Sequence, residues 1–182
     1  MITVIHPEDE TTAALKGLYE GMEYQLVNQH MTNREVRHVL NHAHAFEWMM
    51  ILGHGSKNGL LSSMDHTKNF DRVLVGKSHL FYLRKQHRLI GIWCHADEFA
   101  EEHHLSGLFT GMFISELEEA QEHGVSTTKE EVERELFKFV QRLRGLLDEG
   151  VDLAEIPQQL KDMDDVHSPL TEFNYHSVYY FC

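Results

Sequence analysis

The sequence predicts an α/β fold, a three-layer αβα sandwich with a mostly parallel central sheet. Three observations predict it. Short β-branched and apolar runs alternate with helix-patterned segments through the first half of the chain. Two of those runs, "FEWMMIL" and "LIGIW", are mostly apolar on both parities, as in strands covered on both faces. No repeat, low-complexity tract or Pro/Gly/Ser linker divides the 182 residues, so residues 1–182 read as a single α/β domain.

Taken in order, "ITVIH" is a β-branched run and a first strand. "TTAALKGLYEGM" places Ala14, Leu15, Leu18, Tyr19 and Met22 on one helical face, and "EYQLVNQ" is a second strand. In "TNREVRHVLNHA", Val36, Val39, Leu40 and Ala43 keep helical spacing, and Thr32 with Glu35 has the form of a capping box. "FEWMMIL" follows as a buried strand; "GLLSS" and "DRVLVG" are short strands of a local excursion, and "KSHLFYLRKQ" is a helix before "LIGIW". From Leu105, the residues Leu108, Phe109, Met112 and Phe113 keep helical spacing until Gly124, a C-cap. "STTKEEVERELFKFVQRLRGLLDEG" is the clearest helix, with Val132, Leu136, Phe139, Val140, Leu143, Leu146 and Leu147 in one stripe. "LAEIPQQLKDM" is a further short helix, and "FNYHSVYYF" a last strand.

A formal charge of −13 without a Lys/Arg cluster argues against a nucleic-acid partner. The opening "MITVIHPEDE" has no basic segment followed by a long apolar one, so no signal peptide is expected. No run reaches the roughly 18 apolar residues of a membrane span, and no membrane partner is expected. Two cysteines, Cys94 and Cys182, do not make a disulfide framework, which points to a reducing cytoplasm.

The chemistry-bearing signal is a pair of strand ends. "MMILGHGSKNG" stops at Gly53-His54-Gly55, and "LIGIWCHADEF", 40 residues on, stops at Cys94. The carboxyl edge of a parallel sheet is where ligands collect. Neighbouring strands lie about 5 Å apart, so on adjacent strands the two side chains would share one rim. A histidine beside a cysteine stabilises its thiolate or takes its proton. Cys94 should then alkylate at a lower pH than Cys182. The N–H groups of Gly55 and Cys94 are candidates for an oxyanion hole.

These two motifs resemble the caspase-like cysteine peptidases, clan CD, which include legumain, clostripain, gingipain and separase. There a hydrophobic strand ends in His-Gly and a second ends in the nucleophilic Cys. The likeness covers the order of elements from about residue 1 to 123. It implies a caspase-like fold, hydrolysis of a peptide bond through a thioester, His54 as general base and acid, Cys94 as nucleophile, and no cofactor. The signature Q-A-C-[RQG]-G is absent, "IWCHAD" standing in its place, and the histidine lies 40 rather than about 50 residues upstream. Neither a basic nor an acidic specificity pocket can be assigned, so cleavage specificity is not carried over.

Rival readings attach to other segments. "HADEFAEEHH" is dense in His and acid residues, and metal binding there is a further alternative. It lacks H-E-x-x-H or any other zinc spacing, so no metal ligand is assigned and a solvated loop is expected. His95 and Asp97, next to the cysteine, are candidates to line a substrate cleft. His42 and His44 at a helix end suit the dipole. The aromatic tail is a buried edge strand or a dimer surface. The expected partner is a protein or peptide substrate; a catalytically silent caspase-like module that binds protein is the alternative.

Overall fold

The computed structural model of the protein describes residues 1–62, 70 and 72–182. In chain order the strands are β1 (Ile2–Ile5), β2 (Tyr24–Val27), β3 (Met49–Leu52), β4 (Gly55–Ser56), β5 (Gly59–Ser62), β6 (Arg72–Gly76), β7 (Leu89–Ile92), β8 (Gly107–Thr110) and β9 (Val178–Phe181). The helices are α1 (Asn33–His42), α2 (Leu80–Leu83), α3 (Ala96–His103), α4 (Leu117–Glu122), α5 (Lys129–Asp148), α6 (Ile156–Asp162) and α7 (Pro169–Tyr175). Ser63 and Asp71, at the ends of two of the strands read from sequence, lie outside the described residues.

The fold is α/β. Its main sheet has the order β2-β1-β3-β7-β8-β9, parallel throughout except for β9, which runs antiparallel to β8. A smaller antiparallel sheet, β4-β5-β6, leaves β3 at its carboxyl end. Successive strand residues point to opposite faces, and here each face has its own core. Met50 and Leu52 pack with Phe139 and Leu143 of α5 and Ile156 of α6. Met49 and Ile51 pack with Val36 of α1, Leu83 of α2 and Phe99 of α3. Helices therefore cover both faces, which is why β3 and β7 need no polar side.

Local chemistry sets the helix ends. Thr32 Oγ1 accepts from the Glu35 N–H at 3.3 Å, and the Glu35 carboxylate accepts from the Thr32 N–H at 2.7 Å. This is the capping box read from the sequence. Thr128 Oγ1 caps α5 by accepting from the Glu131 N–H at 3.2 Å, without the reciprocal bond. Gly124 and Gly150 follow α4 and α5 with φ of 68° and 75°, the left-handed conformation that ends helices.

Several segments differ from the sequence reading. Residues 13–18 form a short 3-10 helix rather than a full α-helix. Just before it, Asp9 Oδ1 accepts from the N–H groups of Thr11 and Thr12, each at 3.0 Å, and holds that stretch in a turn. Gly107–Thr110 is a strand, not the start of a helix, because Leu108 and Phe109 enter opposite cores between β7 and β9. Five apolar residues in so short a run satisfy either period. The acidic "ADEFAEEH" is helix α3, not a loop, with Phe99 and Ala100 wholly buried and Asp97 and Glu98 in the first turn, where the dipole favours them.

The aromatic tail divides. Phe173 and Tyr175 lie in α7, and Val178–Phe181 is the edge strand β9. His42 Nδ1–H donates to the His38 carbonyl at 2.7 Å in the last turn of α1, a structural role. No helix among the described residues is long and apolar enough to cross a membrane.

Candidate active site

β3 and β7 are hydrogen-bonded neighbours with Leu52 opposite Ile92, so His54 and Cys94 leave the sheet at the same level and from the same edge. The Gly53 N–H continues the ladder to the Ile92 carbonyl at 3.0 Å. Gly53 then turns the chain with a φ of 139°, which side-chain-bearing residues rarely adopt. His54 and Cys94 line one cavity with Thr11, Phe113, Ser115 and Leu136. Its free volume is about 20 Å³, room for about one water.

The histidine has a partner that sequence reasoning missed. β1 is the other neighbour of β3, and the chain beyond it, "HPEDETT", brings Asp9 to the same edge. His54 Nε2 lies 3.1 Å from Asp9 Oδ2 and 2.7 Å from Thr11 Oγ1. Thr11 Oγ1–H is itself given to Asp9 Oδ1 at 2.9 Å, so the shared hydrogen belongs to Nε2. This assignment leaves Nδ1 as the nitrogen that gains or loses a proton.

Four donors from Thr11 and Thr12 converge on Asp9 Oδ1 and fix the carboxylate. Burial alone would raise the Asp9 pKa, but His54 and the two threonines hold it well below the usual carboxylate range. Burial likewise works against a charged His54. The bond to Asp9 and its charge, with Glu116 and Glu119 beyond, outweigh that and hold His54 above its ordinary value. Behind the pair, burial lowers His6 to about 4, and its Nδ1 shares a hydrogen with Tyr19 Oη at 3.1 Å.

Cys94 sits on a rigid support. Thr110 of β8 accepts from the Trp93 N–H at 3.2 Å and donates to the Trp93 carbonyl at 3.0 Å. The Trp93 indole N–H donates to the Ser56 carbonyl of β4 at 3.1 Å. After Cys94, His95 has a φ of 67°, a left-handed conformation that costs roughly 1–2 kcal/mol for a residue with a Cβ. That strained turn joins strand β7 to helix α3 with the thiol at its apex.

The thiol is not the poised thiolate expected from the sequence. Its Sγ lies 3.8 Å from the Phe113 carbonyl and 3.9 Å from Glu119 Oε1. Burial, and then the Glu119 carboxylate, push it up to about 12. No hydrogen bond joins Cys94 to His54 among the described residues.

Gly55 opens β4, where a Cβ would overlap the Trp93 indole; close packing therefore demands a glycine there whatever its N–H does. His95 and Asp97 do not line the cavity that His54 and Cys94 share. His95 Nδ1 pairs with Glu98 at 2.8 Å on the surface, and burial raises the Asp97 carboxyl beside Gly111. The histidines of 95–104 are dispersed around α3, with His103 against the Phe99 ring. Among the described residues no three His, Cys, Asp or Glu gather as a metal ion would require.

Two wider grooves flank the cavity. One, of about 550 Å³, is lined by Glu10, Ser115, Glu116, Leu117, Glu133 and Leu136 among others, and shares Thr11, Ser115 and Leu136 with the cavity. The second, of about 700 Å³, runs past Glu8, Asp9 and Glu10. Compared with protein-family models, with curated proteins and with solved structures, the chain matches none.

Proposed function

We propose that this chain is a caspase-like cysteine peptidase, a three-layer αβα sandwich in which Cys94 and His54 form the dyad and Asp9 orients the histidine. The observation that carries the reading is the β3–β7 register, Leu52 opposite Ile92, which sets both residues on one cavity. Cys94 Sγ attacks the scissile carbonyl as its proton passes to neutral His54. The tetrahedral oxyanion collapses to a thioester as His54 returns that proton to the leaving amine. Water, deprotonated by His54, then releases the acid and restores the thiol. Asp9 acts through His54: it holds the tautomer and stabilises the imidazolium formed during attack. The N–H groups of Gly55 and Cys94 are the assigned oxyanion donors.

The test is hydrolysis of a mixed fluorogenic peptide library. Cys94→Ala and His54→Ala should each reduce turnover by about 10³-fold or more. Because His54 must be neutral to accept the proton, kcat/KM should rise with pH through a pKa above the ordinary 6.5 or so of histidine. Turnover indifferent to both substitutions removes the peptidase reading.

One observation favours a second reading, a catalytically silent module that binds protein: the resting cavity is small and its thiol protonated. In that case the biological activity survives Cys94→Ala.

A further inference from the structure

The loop beside the small Cys94 cavity is held by one carboxylate. Glu119, in the first turn of α4, is bound at one carboxylate oxygen and faces the thiol with the other. Oε2 accepts from the Ser115 N–H at 2.8 Å, the Ser115 hydroxyl at 3.1 Å and the Glu116 N–H at 3.1 Å. Oε1 stands 3.9 Å from Cys94 Sγ. The residue before this clamp is anchored separately: Asn174 of α7 accepts from the Ile114 N–H at 2.8 Å and donates to its carbonyl at 2.9 Å. The loop from β8 to α4 is thus fastened at Ile114 by α7 and at Ser115 and Glu116 by Glu119.

We propose that Glu119 is the latch of a gate: its carboxylate, bound to the Ser115 and Glu116 amides, holds the Ser115 loop against the Cys94 cavity, and release of that clamp admits a substrate. The inference rests on Cys94 being the nucleophile of the proposed peptidase. A cavity of about 20 Å³ holds about one water and no acyl group, whereas attack requires a carbonyl carbon roughly 3–3.5 Å from sulfur. Ser115, Glu116 and Leu117 also line the neighbouring groove of about 550 Å³. Displacing this one loop therefore joins the groove to the thiol without moving β3 or β7. The same carboxylate opposes thiolate formation, so the gate controls access and ionisation together.

The experiment is iodoacetamide alkylation of the full chain at pH 8, followed by mass spectrometry, with the exposed Cys182 as reference within each molecule. Native Cys94 should react at least about 100-fold more slowly than Cys182. Glu119→Ala removes both the acceptor that clamps the Ser115 and Glu116 amides and the charge facing the thiol; it should accelerate Cys94 by about tenfold or more and leave Cys182 unchanged. Native Cys94 as reactive as Cys182, or a folded Glu119→Ala chain with unaltered Cys94, overturns the gate.

Should the variant unfold, amide hydrogen exchange in the native chain decides. Ser115 and Glu116 should be protected, and exchange at the open-chain rate overturns the clamp. Faster Cys94 alkylation in Glu119→Ala without any peptide cleavage sustains the gate and counts against the peptidase.

Discussion

Replacing Asp9 by Asn removes one charge from the candidate site while keeping a carbonyl that accepts from the Thr11 and Thr12 amides. What is lost is the ionic bond to His54 Nε2, 3.1 Å long between side chains only 15% and 25% exposed. At that burial solvent screens little. Removing a hydrogen bond between charged groups costs about 1.5–3 kcal/mol. For a chain of this size each kcal/mol moves Tm by roughly 2–4 °C, so Asp9→Asn should melt about 3–12 °C below the native chain.

The difference depends on pH. Asp9, held below its ordinary value, contributes stability that is complete above about pH 3.9 and is lost as pH falls through its folded pKa. His54, held above its ordinary value, contributes stability that is complete below about pH 6.5 and is lost as pH rises through its folded pKa. Both are fully present between those limits, and calorimetry near pH 5–6 should show the largest deficit, shrinking as the solution is made alkaline. NMR titration of the imidazole gives the same answer by another route. In native protein His54 titrates above its ordinary value; with Asp9 gone, burial dominates and it titrates below. Identical titration in the two proteins would refute the pairing on which the site is built.

Gly55→Ala, whose new methyl would overlap the Trp93 indole, should destabilise by about 1–3 kcal/mol in urea unfolding; a change under about 0.5 kcal/mol would show that the packing yields. Phe139, wholly buried between the rings of Phe113 at 4.7 Å and Tyr175 at 5.6 Å, should cost about 3–5 kcal/mol when cut to Ala, and a loss under about 1 kcal/mol would contradict its central place.

Much of this architecture is legible without coordinates. "MMIL" and "LIGI" are apolar at every position, and only a strand covered on both faces makes sense of that. Thr32 with Glu35 marks the start of α1, and the stripe from Val132 to Leu147 marks α5. Where local signals compete, the reading fails. The run from Leu105 to Phe113 satisfies helical spacing but lies between β7 and β9, where the sheet supplies backbone partners that a helix would not need. In "ADEFAEEH" the weight of charge hides an apolar face of Ala96, Phe99 and Ala100 that is enough to hold a helix against the sheet.

The candidate site divides along the same line. Residue types and strand ends single out His54 and Cys94, because an apolar run closing on a reactive side chain is a local pattern, visible along the chain. Asp9, Thr11 and Glu119 carry no such mark. Asp9 reaches His54 only because β1 pairs with β3, and Glu119 reaches Cys94 only because β8 lies beside β7 and hands the chain to α4. Ionisation is settled there too: a thiol that composition leaves ordinary is raised by burial and a facing carboxylate, and a histidine is raised by an acid 45 positions away in the chain. Electric fields and desolvation act through space, so which charges meet, and in what protonation state, is decided by how the strands are ordered in the sheet.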